Sequence, residues 1–381
     1  MIDFASALYL GMRHPAGALG GWEALTTGLP AALAAAPLAR RVAADAAALQ
    51  GTEAGMVGAS TLHLAIDAFD RLGRTHALIA DDALYPVMRW ALERMMGRGV
   101  PVAWFRHGDA ADLARRLARR ASARPPAVVT DATVGDGAPA PIARYVDAVR
   151  REGGLVLVDH SQVLGLTGER AAPRSPWGQG GGGALRHAAL PAPSRQPVLL
   201  LASWAKAFGA PLATLCGPAA LINDIARDGP AQSHCSPASA VALLAALDAL
   251  AINRRAGARL RLRLLHRLHR LHDGLRALAA CAVPDLHLSG RWHPLQRLCF
   301  ASDERALALH AGLSACGIRT ALLRQRGGGY ALIVIARTDH RTADIDALLD
   351  AIASLAPSLP GARRSAPRIN AYKEIEHVQD R

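Results

Sequence analysis

The sequence predicts an α/β fold: a large, mostly parallel sheet with helices on both faces, followed by a small α+β unit. Three observations carry this reading. Short apolar runs alternate with helical patterns from about residue 50 to 220, and parallel strands need helical crossovers of that kind. The runs are short and read as buried strands bounded by turn residues. Beyond residue 294 the order becomes β/α/β/α, which suits a smaller unit with its own sheet.

In chain order, the small-residue turn Gly58-Ala59-Ser60-Thr61 opens a helix over Leu62–Leu72. Strands follow at His76–Ala80, Val102–Phe105, Ala127–Thr130, Leu155–Val158, Val198–Leu201 and Ala213–Cys216, with helices over Tyr85–Arg98 and Ala110–Arg119 between them. Residues 169–196 are rich in Gly, Pro and Arg and contain Gly178-Gln179-Gly180-Gly181-Gly182-Gly183. Without a Lys-Ser/Thr pair or an immediate helix start, that run reads as a surface loop rather than a phosphate cradle. Residues 237–278 read as one long helix or two joined ones, with arginines and histidines of Arg254–Arg270 solvated over a leucine seam. Strands at Pro294–Phe300 and Tyr330–Ile335, and helices at Asp303–Cys316 and Ala343–Ala356, complete the ordered chain. Residues 361–381 are charged and lack apolar periodicity, so a loose tail is expected. The expected organisation is an N-terminal segment 1–45 packing on the small unit, a large domain 46–252, a small domain 253–360 and the tail.

Composition narrows the function classes. The chain has 381 residues, 51% of them hydrophobic, enough for a large core. No run of about 20 apolar residues marks a membrane span, and Met1-Ile2-Asp3-Phe4 lacks a secretion signal. The five cysteines (Cys216, Cys235, Cys281, Cys299, Cys316) show no CxxC spacing, which argues against a disulfide framework or a metal site and for a reducing cytoplasm. Net charge is +13, but aromatics are only 4% and are not interleaved with a basic stripe, so a nucleic-acid surface is not expected. The charge suits either solvated faces or attraction of a phosphate-rich cofactor or acyl-CoA.

Lys206 carries the most chemistry. It lies in Ala202-Ser203-Trp204-Ala205-Lys206-Ala207-Phe208-Gly209, between two strand-like runs. A partly desolvated lysine has a lowered pKa and acts as an amine nucleophile. Upstream, Leu155–Val158 ends in Asp159. A carboxylate at a strand's end, then Ser-x-x-Lys after a later strand, fits pyridoxal 5'-phosphate, with the lysine for its aldehyde and the aspartate for its ring nitrogen.

Four ordered motifs extend this pair. Asp159-His160-Ser161-Gln162-Val163-Leu164-Gly165 and Ser203-Trp204-Ala205-Lys206-Ala207-Phe208-Gly209 are specific together, while Thr130-Asp131-Ala132 with Asp136-Gly137, and Ser233-His234-Cys235-Ser236-Pro237, support them. On these residues the chain resembles the fold-type I pyridoxal-phosphate enzymes, specifically the α-oxoamine synthases (8-amino-7-oxononanoate synthase-like) of the aminotransferase class I/II family. The resemblance implies a seven-stranded-type α/β/α domain, a homodimer and a transferase. Such an enzyme condenses an amine or amino-acid carbanion with an acyl-CoA or carrier thioester through an external aldimine. The alternatives are an aminotransferase whose substrate lacks an α-carboxylate, or an inactive binding scaffold.

The resemblance also implies roles. Lys206 and Asp159 hold the cofactor, with Gln162, at a family histidine position, and Ser161 beside it. Ser203 reaches the phosphate, as does the cup Gly58, Ala59, Ser60 and Thr61, a helix start that favours a dianion. Tyr85 falls where the family stacks a residue on the ring; its other reading is a core tyrosine. His234 reaches the neighbouring subunit's phosphate or is a plain loop histidine. His63, four residues before Asp67, reads as structural more readily than catalytic. The family's carboxylate-binding arginine is missing from Tyr330–Ala336, leaving Arg337, Arg324, Arg326 or the N-terminal Arg13 as substitutes.

Overall fold

The computed structural model describes residues 1–15, 17, 25, 26, 28–31, 33, 37–134, 137–190, 197–325 and 328–360. The expected tail 361–381, Arg326 and Asp136 lie outside the described residues.

Strand β1 (Ile2–Asp3) and helix α1 (Pro37–Gln50) precede the main alternation of strands and helices. That alternation runs β2 (Ala54–Gly58), α2 (Thr61–Thr75), β3 (Ala77–Asp81), α3 (Pro86–Met96), β4 (Val102–Phe105), α4 (Ala110–Ala118) and β5 (Pro126–Asp131). A two-residue hairpin, β6 (Thr133–Val134) and β7 (Ala138–Pro139), leads to α5 (Ile142–Arg150) and β8 (Leu155–Asp159). Then come α6 (Ala184–His187), β9 (Val198–Ser203), β10 (Ala213–Gly217), α7 (Ala219–Asp228) and α8 (Pro230–His234).

The large sheet has seven strands in the order β2-β10-β9-β8-β5-β3-β4. Pairs β9–β8, β8–β5, β5–β3 and β3–β4 are parallel, and β10 is antiparallel to both of its neighbours. The central strands face two cores, one on each side, as their unbroken apolar sequences require. Val156 and Val158 of β8 join one core with Tyr145 of α5; Leu155 and Leu157 join the other with Phe69 of α2. Because β5, β8 and β9 are parallel, Asp131, Asp159 and Ser203 emerge together at their carboxyl ends, where such sheets gather ligands.

A single helix, α9 (Ala240–Cys281), spans 42 residues, roughly 63 Å at 1.5 Å per residue. Its N-terminal part packs on α1, and its C-terminal part packs on α11 (Thr342–Leu355), so it joins the two sheets. The second sheet contains β11 (His287–Ser289), β12 (Leu295–Cys299), β14 (Ala321–Arg324) and β15 (Tyr330–Ile335) in the antiparallel order β11-β12-β15-β14. Helix α10 (Asp303–Ala315) packs on β15, and β1 pairs in parallel with β13 (Ile318–Arg319). The N-terminal segment continues this contact: the Phe4 amide donates to Arg319, and the Phe4 carbonyl accepts from Ile335.

The Gly-rich stretch departs from the expected surface loop. Its beginning, 171–175, is exposed, but Gly181, Gly182 and Gly183 are buried. A Cβ on Gly182 would lie 2.4 Å from the Leu49 carbonyl, and one on Gly183 would lie 2.4 Å from His160 Nδ1. The glycines let this loop pack backbone to backbone against the segment after β8: Gly165 donates to Gly181 and Gly183 donates to Thr167. No helix among the described residues is long and apolar enough to cross a membrane.

Candidate active site

The lysine sits on a turn fixed by its neighbours. β9 ends at Ser203, and the fully buried Trp204 anchors the turn, its indole donating to Thr214 Oγ1 at 2.9 Å. The Ala210 amide closes back on the Trp204 carbonyl at 3.1 Å, and Gly209, at φ +63°, donates to the Lys206 carbonyl. With both ends held by the core, Lys206 points from the mouth of the sheet. Burial holds its amine below the usual lysine range, while the carboxylates of Asp159 and Asp131 pull the other way.

Asp159 ends β8 and is buried; its Oδ1 accepts the Ser161 amide at 2.9 Å. The Ser161 hydroxyl oxygen in turn accepts the Ser203 amide at 2.8 Å, tying the aspartate loop to the lysine turn. Gly165, at φ +84°, lets the two loops touch, because a Cβ there would lie 2.8 Å from Ala207 Cβ. Tyr85 is the N-cap of α3, with Pro86 at the first helical position. Its amide donates to Asp131 Oδ2 at 3.1 Å, and its ring centroid lies 5.8 Å from Lys206 Nζ. The ring is 52% exposed, which removes the core-tyrosine reading.

Gln162 is held from two directions. Tyr9, fully buried in the N-terminal segment, donates its hydroxyl to Gln162 Oε1. His293, just before β12, donates Nε2 to the Gln162 carbonyl at 3.1 Å and accepts the Leu295 amide at Nδ1. That pairing fixes one neutral tautomer. Burial, with smaller contributions from Arg297 and Lys206, lowers the His293 pKa to about 4. Tyr9 and His293 also meet edge to face at 5.5 Å. Neither residue was among the sequence candidates. They come from distant parts of the chain and carry no local motif.

The small-residue cup stands on the same row of the sheet. Gly58 pairs with Ala213, and Ala213 pairs with Ser203, so the cup lies two strands from the lysine turn, roughly 10 Å. Ser60 caps α2 and accepts the His63 amide at 3.4 Å, while its hydroxyl meets His63 Nδ1 at 3.0 Å. Ala59 is exposed, and Thr61 begins the helix. His63 therefore belongs to the cap. Asp67 accepts the Ala231 amide at 2.7 Å and seats α8, whose last residue, His234, is exposed.

The described arginine substitutes are engaged elsewhere or exposed. Arg337 is buried and turned onto Asp3 (3.1 Å) and Asp339 (3.0 Å). Arg13 is an exposed partner of Asp339, and Arg324 is exposed on β14. Among the described residues no cluster of His, Cys, Asp or Glu could hold a metal ion.

A parallel sheet with a half-buried lysine and a buried aspartate at its carboxyl ends defines a class, and sequence comparison agrees: the family model for aminotransferase class I and II matches residues 39–289. The chain belongs to that family. Within it, the chain is 30% identical over 370 residues to a putative 8-amino-7-oxononanoate synthase of Caulobacter vibrioides, covering 93% of this chain and 88% of that protein. It is 29% identical over 321 residues to the 8-amino-7-oxononanoate synthase of Halorhodospira halophila, covering 83% and 74% respectively. A serine palmitoyltransferase of Sphingomonas wittichii shares the fold with a TM-score of 0.80 at 19% identity, over 94% of this chain and 88% of that one. The 8-amino-7-oxononanoate synthase of Francisella tularensis does so with a TM-score of 0.73 at 15% identity, over 94% and 98%.

Proposed function

We propose that this protein is a pyridoxal-phosphate-dependent transferase of the α-oxoamine synthase type, joining an amine or amino acid to an acyl thioester. The observation that carries this reading is the convergence of Lys206, Asp159 and the exposed Tyr85 ring at the ends of β8 and β9. The donor set fits the cofactor: Lys206 for its aldehyde, Asp159 for its ring nitrogen and Tyr85 beside the ring. Ser203 and the Ser60–Thr61 helix start would hold its phosphate. Gln162 would face its phenolic oxygen through Nε2, since Oε1 is already taken by Tyr9. When bound, the cofactor withdraws electrons from the substrate carbon next to nitrogen. Lys206, freed when the substrate amine takes its place and held below its usual range, would take the proton from that carbon.

Arg337, committed to Asp3 and Asp339, supports a second reading in which the amine has no α-carboxylate and the enzyme is an aminotransferase. The exposed Tyr85 and Trp90, at the cap and on the face of α3, and the exposed His234, suit a homodimer with sites at its interface. The test begins with the purified protein and pyridoxal phosphate. A yellow protein bleached by borohydride, with the label on Lys206 and none on Lys206→Ala, supports the cofactor reading. Thiol release from an acyl-CoA only when an amine is present supports the synthase. Stoichiometric conversion to the aminated cofactor by amine alone supports the aminotransferase instead. A colourless protein with no label at Lys206 would sink both.

A further inference from the structure

A cavity of about 210 Å³ lies beside the candidate site, on the side away from the phosphate cup. Three of its lining residues adjoin the site: Ala132 follows Asp131, Val163 follows Gln162, and His293 holds the Gln162 carbonyl. His293 is shared by the site and the cavity, holding the Gln162 carbonyl and lining the space. Its ring feels the Lys206 charge, and Gly137 lies so close that a Cβ there would be 2.6 Å from His293 Cβ. Trp177 of the Gly-rich loop and Trp292, next to His293, complete the lining.

Among the described residues the lining contains no Lys, Arg, Asp or Glu. Several of its polar groups are engaged within the protein. The Trp177 indole donates to the Trp292 carbonyl at 2.8 Å, and Thr167 donates to the Val163 carbonyl. His293 uses both ring nitrogens; His187 bonds Gly168, and its Nδ1 is buried without a partner. Burial lowers the pKa of both histidines, so neither offers a positive charge near neutral pH. A carboxylate entering this space would lose its hydration and meet no cationic side chain among the described residues, whereas a hydrocarbon chain would gain by leaving water.

We infer that this cavity receives the tail of the acyl group, and that it selects an unbranched, uncharged chain of medium length over one ending in a carboxylate. The inference rests on the proposed synthase reading and deepens it by naming the acyl class. The size follows from volume: a cavity of roughly 150 Å³ holds a benzene, so 210 Å³ scales to roughly six to eight carbons. Longer chains exceed this space, which Trp177 and Trp292 help to line.

Calorimetric titration of the cofactor-loaded protein with straight-chain acyl-CoAs from butanoyl to hexadecanoyl, and with the eight-carbon dicarboxylic monothioester, tests it. Affinity should peak near six to eight carbons, and the dicarboxylic thioester should bind at least tenfold more weakly than octanoyl-CoA. Ala188→Leu, which fills the lining, should move the optimum to shorter chains. Trp292→Ala keeps the backbone carbonyl that Trp177 uses and should admit longer ones. A flat length profile, a preference for the dicarboxylic thioester, or an optimum unmoved by both variants would overturn the assignment. Failure of the synthase reading would look different: no thioester would release thiol, while the length profile of binding persisted.

Discussion

Asp131 and Asp159 are direct partners across the parallel strands β5 and β8, and both charges act on Lys206. Two carboxylates therefore support the protonated amine against burial. Removing either leaves burial less opposed, so the lysine pKa should fall further in Asp131→Asn and in Asp159→Asn. Acylation of Lys206 in the cofactor-free protein, followed against pH by mass spectrometry, reads this directly. Midpoints displaced to higher pH would contradict the geometry. Asp159→Asn should also weaken cofactor binding by at least tenfold, because the ring nitrogen loses its counter-charge, while Asp131→Asn should weaken it less.

The large sheet was legible because its central strands are covered on both faces and so read as unbroken apolar runs. Lys206 and Asp159 were legible because each closes such a run. Strand β2 was not, since Gly55 and Gly58 remove the strand signal. They are there for close approach, a Cβ at Gly55 meeting the Ala43 carbonyl at 2.7 Å and one at Gly58 meeting Leu64 at 2.8 Å. Tyr9 and His293 were invisible for a different reason. They reach Gln162 from 153 and 131 residues away, through contacts that only the fold creates. Arg337 was a reasonable candidate from position alone, but Asp3 and Asp339 hold it elsewhere.

The glycine loop offers a graded test of close packing. A Cβ on Gly168 would fall 1.7 Å from the Gln179 carbonyl oxygen, a backbone atom that cannot step aside. Gly180, at φ +82°, has nothing within 4 Å. Gly168→Ala should therefore cost at least about 3 kcal/mol, by overpacking, and Gly180→Ala only about 1–2 kcal/mol, from its left-handed backbone. Urea midpoints of the two variants check the ranking. Equal losses would mean that backbone conformation, not proximity, sets the requirement.

Gly257 lies in the middle of α9, where alanine is ordinarily better by roughly 1 kcal/mol. Here the sign should reverse. A Cβ would lie 2.4 Å from Asn253 Oδ1 and 3.0 Å from the Arg261 guanidinium. Those two side chains form a buried clasp: Arg261 Nη1 bonds Asn253 Oδ1 at 2.7 Å and the Gly165 carbonyl at 3.1 Å, while Asn253 Nδ2 bonds Gly180. Arg261 has no carboxylate partner among these contacts, and burial lowers its pKa to about 10. Gly257→Ala should break the clasp and lower stability by about 1–3 kcal/mol, the cost of freeing buried polar groups. Limited proteolysis should then cut within 169–183 faster than in the parent. A variant as stable as the parent, with an uncut loop, would show that the clasp contributes nothing.

Stability should depend on pH through two buried histidines. His160 and His293 are pushed from 6.5 to about 3 and about 4 by burial. In the unfolded chain they titrate near 6.5, so between that value and pH 4 the unfolded state binds more protons than the folded one. Stability therefore rises with pH across this window and falls as pH drops below 6.5. Each histidine should remove on the order of 2 kcal/mol by pH 5 relative to neutral pH. The paired carboxylates of Asp112 and Asp344, held below 3.8 by their arginines and backbone amides, act in the same direction but only below about pH 4. Urea midpoints from pH 7.5 to 4.5 measure the slope, to which His76, His187 and His340, also lowered by burial, add, and His293→Gln should flatten it in part. If the parent were equally stable at pH 7.5 and 5, both histidines would have to be protonated within the fold, and the single tautomer that holds the Gln162 carbonyl could not be the resting form.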